Sequence, residues 1–167
     1  MWSYEKRLQY PVNITTPNAK LAEVIISQYG GPDGEMGASM RYLSQRYGVP
    51  YPEIAAVLTD IGTEELAHLE MVAAIVHQLT KNLSMEEIEN SGFKAYYVDH
   101  TIGIWPQAAG GIPFNACEFQ SKGDLITDLF EDMAAEQKAR TTYDNILHLI
   151  KNPEVCDPIR FLRQREI

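Results

Sequence analysis

Glu65 and His68 stand three residues apart on a stripe that otherwise consists of hydrophobic residues: Ile54, Leu58, Ile61, Glu65, His68, Val72, Ile75 and Leu79. The spacing alternates between four and three, the period of a helix face that meets a bundle core. A carboxylate and an imidazole are therefore expected to point inward. An ionised carboxylate buried without a partner costs on the order of several kcal/mol, a large fraction of a domain's stability, so a cation should meet it there. A metal ion is the simplest such cation. A hydrogen bond between the two side chains, or a buried arginine, is the plainer alternative, and Glu-x-x-His alone does not choose between them.

Other helices must bring further ligands to this pair. Residues 1–17 hold Pro11, Pro17 and a short alternating stretch, and read as an extended arm of the kind that wraps a neighbouring subunit. From Asn18 to Tyr29 a helical pattern (Leu21, Val24, Ile25, Tyr29) runs into Gly30-Gly31-Pro32-Asp33-Gly34, and Glu35 to Tyr47 continues it with Met36, Met40, Leu43 and Tyr47. One kinked helix or two stacked segments fit this break. Gly48-Val49-Pro50 is the stop before the helix of Tyr51–Thr80. Residues 81–121 begin with a capping-box turn, Ser84-Met85-Glu86-Glu87, then turn to Gly, Pro and aromatic residues, which suits a long crossover. Asp124 to Ile150 is a third long helix, with Ile126, Leu129, Met133, Glu136, Tyr143, Leu147 and Ile150 on one stripe, interrupted by Arg140. Asn152-Pro153 caps a fourth, in which Ile159, Leu162 and Glu166 continue the pattern.

The expected fold is all-α: a ferritin-like four-helix bundle in a single domain, with 18–80 as the first helix pair, 81–121 as the crossover and 122–167 as the second pair. Dinuclear carboxylate bundles take one Glu from each of two helices and a Glu-x-x-His from each of the others. Glu35, Glu65 with His68, and Glu136 fit three of the four helices. Glu166 opens the fourth pattern, whose histidine would fall at position 169, two residues after Ile167. Three carboxylates balance most of the charge of two divalent ions, whereas one ion would leave excess negative charge in the core. Carboxylate with imidazole suits manganese or iron, and two redox ions about 3.5–4 Å apart can exchange two electrons with a peroxide.

The 167 residues, 45% hydrophobic, suffice for one sizeable core. A formal net charge of −9 without a basic run argues against nucleic acid or an anionic membrane as partner. The N-terminus lacks the apolar core of a secretory signal, and the longest apolar run, Met71 to Val76, is too short for a membrane span. Cys117 and Cys156 read as free thiols.

Longer motifs around these ligands resemble those of the manganese catalase family. Gly30-Gly31-x-x-Gly34-Glu35-Met36-x-x-x-Met40-x-Tyr42-Leu43-x-Gln45 is similar to that family's first-helix motif, and Asp60-Ile61-x-Thr63-Glu64-Glu65-x-x-His68-x-Glu70-Met71 to its second. Gly123-Asp124-Leu125 through Ala134-Ala135-Glu136 resembles the third, and Arg160-Phe161-Leu162-x-x-Arg165-Glu166 the start of the fourth. The resemblance implies two manganese ions, with iron as the alternative, held by Glu35, Glu65, His68 and Glu136, and Glu65 bridging the pair. It implies that Glu166 carries protons as general acid and base and that Tyr42 hydrogen-bonds a ligating carboxylate. Hydrogen peroxide is the implied substrate, disproportionated to water and dioxygen, and a homo-oligomer, hexameric by resemblance, is the implied assembly. Met1-Trp2-x-Tyr4-Glu5-Lys6-x-Leu8-x-Tyr10-Pro11 is most similar to the spore-coat branch of the family, which implies a mother-cell cytoplasm or spore-coat location and other coat proteins as partners.

Two further readings use the same bundle. One is a structural coat component with a partial metal site, which the position of the fourth-helix histidine favours. The other is a di-iron oxidase or iron-binding protein, since the same ligands accept iron. The aromatics Tyr96, Tyr97, Trp105, Phe114 and Phe119 of the crossover are expected to pack against copies of the chain or to fold back on the bundle.

Overall fold

The computed structural model describes residue 5 and residues 7–100 and 105–167, the side chains of Tyr96, Asp99 and His100 excepted. The opening residues Met1–Tyr4 and the Tyr96 side chain thus lie outside the described residues. Chain order gives α1 (Ala19–Ile25), α2 (Ser27–Gly30), α3 (Glu35–Gln45), α4 (Pro52–Thr80), α5 (Met85–Glu89), α6 (Lys94–His100), α7 (Leu125–Leu149) and α8 (Pro153–Arg165), with one 3₁₀ turn at Ala116–Glu118. Four of these build the bundle: α3 packs on α4, α7 on α8, and the two pairs meet where α3 touches α7 and α4 touches α8.

Local sequence explains the element ends. The Asn18 side chain accepts from the Leu21 N–H, Ser84 and Glu87 form a complete capping box, Asp124 accepts from Thr127 N–H, and Asn152 accepts from Glu154 N–H ahead of Pro153. The break between α2 and α3 is a short excursion over residues 31–34, after which Gly34 caps α3 in an extended conformation. The segment is thus a helix interrupted by one turn. The crossover holds more helix than its aperiodic sequence suggests, since α6 follows α5 after a short turn. Gly30 is where it docks. A Cβ there would stand 2.3 Å from the backbone of Pro106 and Gln107, so only glycine permits the approach. Phe114 and Phe119 fold back on α3, each within van der Waals reach of a Cβ built at Gly37.

The core runs along one end of the bundle through Ile25, Met71, Val72, Ile75, Leu79, Ile146, Ile159 and Leu162. The described part of the arm finds partners in its own chain. Val12 is buried, Gln78 bonds both the Val12 carbonyl and the Ile14 N–H, Tyr10 stacks on Phe161 at 4.7 Å, and Glu154 accepts from Thr15.

Two stripe assignments need correction. Ile61 is 39% exposed, and Gly62 takes the buried position instead because a Cβ there would meet Leu43 at 2.9 Å. In the first half of α7, Ile126 and Met133 are exposed while Asp128, Asp132, Ala135 and Ala139 are buried. Two local facts turn this helix. Asp128 accepts the N–H groups of Lys122 and Gly123 at 2.6 and 3.0 Å, and the two alanines let the backbone approach the bundle. From Tyr143 onward the expected face turns to the core, with Tyr143 and Ile150 buried and Leu147 half-buried against it, while Ile146, off the expected stripe, is buried beside them.

Candidate metal centre

Glu35 is the first residue of α3, where the chain emerges from the Gly31–Gly34 turn, and the positive end of the helix favours a carboxylate there. Glu65 and His68 lie on one face of α4, one helical turn apart. Glu166 closes α8 as its C-terminal cap. These four side chains are buried, and each offers a ligand atom such that all four atoms lie within 4.8 Å of one another. Glu136, on α7, is half-buried beside them and hydrogen-bonds Glu166. The structure therefore brings together all five charged or imidazole residues singled out in the sequence, with Glu166 inside the tightest cluster and Glu136 at its border.

Hydrogen bonds orient the ring of acids. The Tyr42 hydroxyl donates to Glu136, and the Tyr143 hydroxyl donates to Glu35 from a fully buried position. His68 Nδ1 lies 3.1 Å from Glu65 Oε2, while Glu64 stands 3.6 Å from Nε2 and is itself clamped by Arg165 at 2.7 and 3.0 Å.

So many carboxylates in one dry space cannot all ionise unaided. Burial, with the charges of Glu65 and Glu166, pushes Glu35 well above the ordinary carboxylate range, against the hydrogen bond from Tyr143. Burial, then the charges of Glu65 and Glu136, raises Glu166 as well. Burial and Glu65 raise Glu136, against the bond from Tyr42. Burial also acts upward on Glu65, but hydrogen bonds with His68 and Glu35 outweigh it and hold this one carboxyl low. Three carboxyls raised and one lowered within a single buried cluster is an environment that a cation would stabilise. Metal ions bound there would favour the charged carboxylates and so act against these upward shifts.

The residues fit such ions. His68 Nε2 and Glu166 Oε1 are buried without a hydrogen-bond partner among the described residues, an arrangement that proteins seldom tolerate. The donor set of carboxylates with one imidazole matches manganese or iron. Beside the cluster lies a small chamber whose walls include Glu35, Arg41, Tyr42, Glu136 and Glu166.

Sequence reasoning missed Tyr143 as a polar residue, though it sits on the same helical stripe as Glu136, two turns on. Arg41 and the Arg165–Glu64 clamp carry no periodic signal, since arginine next to a motif residue is ordinary on a helix surface.

Comparison with known proteins agrees with this geometry. A profile of the family described as manganese containing catalase matches residues 1–167. Protein CotJC of Bacillus subtilis is 50% identical over 167 residues, covering all of this chain and 88% of that protein. A probable manganese catalase of Clostridium acetobutylicum is 32% identical, covering 99% of this chain and 75% of its own length. The crystal structure of KatB, a manganese catalase from Anabaena, superposes with a TM-score of 0.91 at 30% identity, over 99% of this chain and 74% of that one. On these matches the chain belongs to the manganese-containing catalase family, with a ferritin-like helical bundle and a buried Glu/His cluster at its centre.

Proposed function

We propose that the protein is a dinuclear manganese catalase of the spore coat, converting hydrogen peroxide to water and dioxygen. The observation that carries this reading is the buried cluster of Glu35, Glu65, His68 and Glu166, whose ligand atoms lie within 4.8 Å of one another and two of whose polar atoms have no hydrogen-bond partner among the described residues. Glu35, Glu65, His68 and Glu136 would hold the ions. When bound, a manganese pair supplies the exchange of two electrons with peroxide. The remaining chemistry belongs to the chain. One peroxide molecule is oxidised to dioxygen and gives up two protons and two electrons; a second takes them up as its O–O bond breaks, yielding two waters. Glu166 is suited to hold and return those protons, because its Oε1 has no hydrogen-bond partner among the described residues and burial, with the charges of Glu65 and Glu136, raises its affinity for a proton. Tyr42 and Tyr143 fix the orientation of Glu136 and Glu35.

The spore-coat location draws on the similarity to CotJC. Among the described residues no helix is long and apolar enough to cross a membrane. Self-association belongs to the same reading and is supported by the exposed Ile126, Phe130 and Met133, spaced four and three apart on α7; light scattering on the purified chain tests it.

The experiment is elemental analysis of protein expressed with added manganese, paired with oxygen release from hydrogen peroxide, on the wild type and on Glu65→Ala. About two manganese ions per chain with oxygen released, both lost in the variant, is the expected result. No metal and no oxygen would leave a structural coat protein. Oxygen consumption with ferrous iron would mark an iron oxidase instead.

A further inference from the structure

His68 is held between two carboxylates of its own helix. Glu65, three residues back, faces Nδ1 at 3.1 Å, and Glu64, four residues back, faces Nε2 at 3.6 Å. Spacings of three and four put both acids on the imidazole's side of α4. Glu65 belongs to the converging cluster and Glu64 does not, so Nδ1 is the nitrogen turned toward the cluster and Nε2 the one turned away. An imidazole that ligates a metal is neutral, and the nitrogen that meets the metal is set by the hydrogen bond the other one makes. With Nδ1 facing the cluster, the ring proton falls to Nε2, which is buried without a hydrogen-bond partner among the described residues. That N–H needs an acceptor.

Glu64 is built to be one. Its carboxylate accepts from Arg165 Nε and Nη2 at 2.7 and 3.0 Å and from the Gln9 side-chain amide at 2.8 Å. These are three of the roughly four bonds that a carboxylate can accept, which leaves one place. The donors come from the N-terminal arm and from the end of α8, so the side chain is fixed from two directions, and its charge is paired. The distance of 3.6 Å exceeds an ordinary N–H···O bond of about 3 Å by an amount that a small turn of either side chain closes.

We propose that Glu64 is the positioning residue of His68: its carboxylate takes the Nε2–H, fixes the tautomer and so presents the Nδ1 lone pair to the metal. The proposal rests on the manganese reading above only in requiring a metal at His68. Glu64 acts through the imidazole alone and is not itself a ligand. The rival role is structural, in which Glu64 matters solely because its pairing with Arg165 ties α8 to α4.

Two variants separate these roles. Glu64→Ala removes both the acceptor and the tie to α8, whereas Arg165→Met removes the tie and keeps the acceptor. Equilibrium dialysis gives the manganese affinity of each. Loading with zinc, which is diamagnetic and accepts the same donors, lets 15N NMR of histidine-labelled protein show which ring nitrogen of His68 carries the proton. The wild type is expected to hold zinc on Nδ1 with the proton on Nε2. Glu64→Ala should bind manganese roughly 10- to 100-fold more weakly, and Arg165→Met should lose much less. Glu64→Gln, whose amide oxygen still accepts, should recover part of the loss. A wild-type spectrum with zinc on Nε2 and the proton on Nδ1 would overturn the proposal whether or not the variants fold. So would an unchanged manganese affinity in folded Glu64→Ala, or an equal loss in Arg165→Met. Because the readouts are metal affinity and proton position, a loaded wild type that releases no oxygen would remove the catalase reading and not this one; a wild type that takes up neither metal would overturn both.

Discussion

At the scale of single residues, the centre depends on phenols as much as on its acids. Tyr143 is wholly buried and its hydroxyl donates to Glu35, acting against the burial that raises that carboxyl. Hydrogen bonds that steady a ligating carboxylate commonly change metal affinity by about 10- to 100-fold. Tyr143→Phe is therefore expected to weaken manganese binding by that factor while leaving the helical signal intact, since phenylalanine fills the same space. Equilibrium dialysis against manganese measures it, and an unaltered affinity would show that the hydroxyl plays no part in holding Glu35.

At the scale of elements, the position of the centre depends on how closely α3 approaches α4. Gly62 makes that approach possible, because a Cβ there would come within 2.9 Å of Leu43 Cγ and 3.2 Å of Tyr42 Cβ. Gly62→Val places three carbon atoms in that space. The gain in helix propensity is small, and overpacking costs about 1–3 kcal/mol, so the variant should unfold at lower urea concentration. It should also push Tyr42 away from Glu136 and lower the manganese content. A urea midpoint equal to that of the wild type would mean that the helices separate without cost. The far end of the site is held differently: Arg165 clamps Glu64 through two hydrogen bonds, which fixes the end of α8 against α4 and so delivers Glu166 to its neighbours.

The molecule as a whole carries more buried acid than its cluster alone. Asp132, on α7, is buried with Oδ2 unpartnered among the described residues, and burial raises its carboxyl to about 6, against the hydrogen bond from Gln45 and the charge of Arg41. The folded state thus binds a proton more tightly than the unfolded chain does. This contribution to stability is fully present below the unfolded value near 4 and is lost as pH rises through about 6. Allowing for solvent screening, the loss amounts to about 1–2 kcal/mol. Asp132→Asn should therefore raise stability at pH 7.5 and flatten its decline between pH 4.5 and 6.5. Urea unfolding at those pH values measures the slope, and a variant with the wild-type slope would assign it to other groups.

Periodicity made the four-helix bundle and the inward aim of Glu65 and His68 legible, because burial of a helix face leaves its mark every three or four residues. Capping residues likewise marked the starts of α5 and α8, since they act on backbone a few positions away. The face of α7 near Asp128 was not legible. Its aspartates are buried because Lys122, Gly123 and Gln45 donate to them, and a hydrophobicity pattern cannot register partners supplied by a loop and another helix. Nor could spacing show the bond from Tyr143 to Glu35, 108 residues apart, or the burial of Arg41 with Nε and Nη1 unpartnered among the described residues. The sequence by itself determined which residues could serve as ligands and on which helices they ride, because those are local properties of the chain. Only the tertiary structure decided that the ligand atoms converge within 4.8 Å, which phenols orient them and which cation borders their chamber, because convergence and desolvation are created by packing.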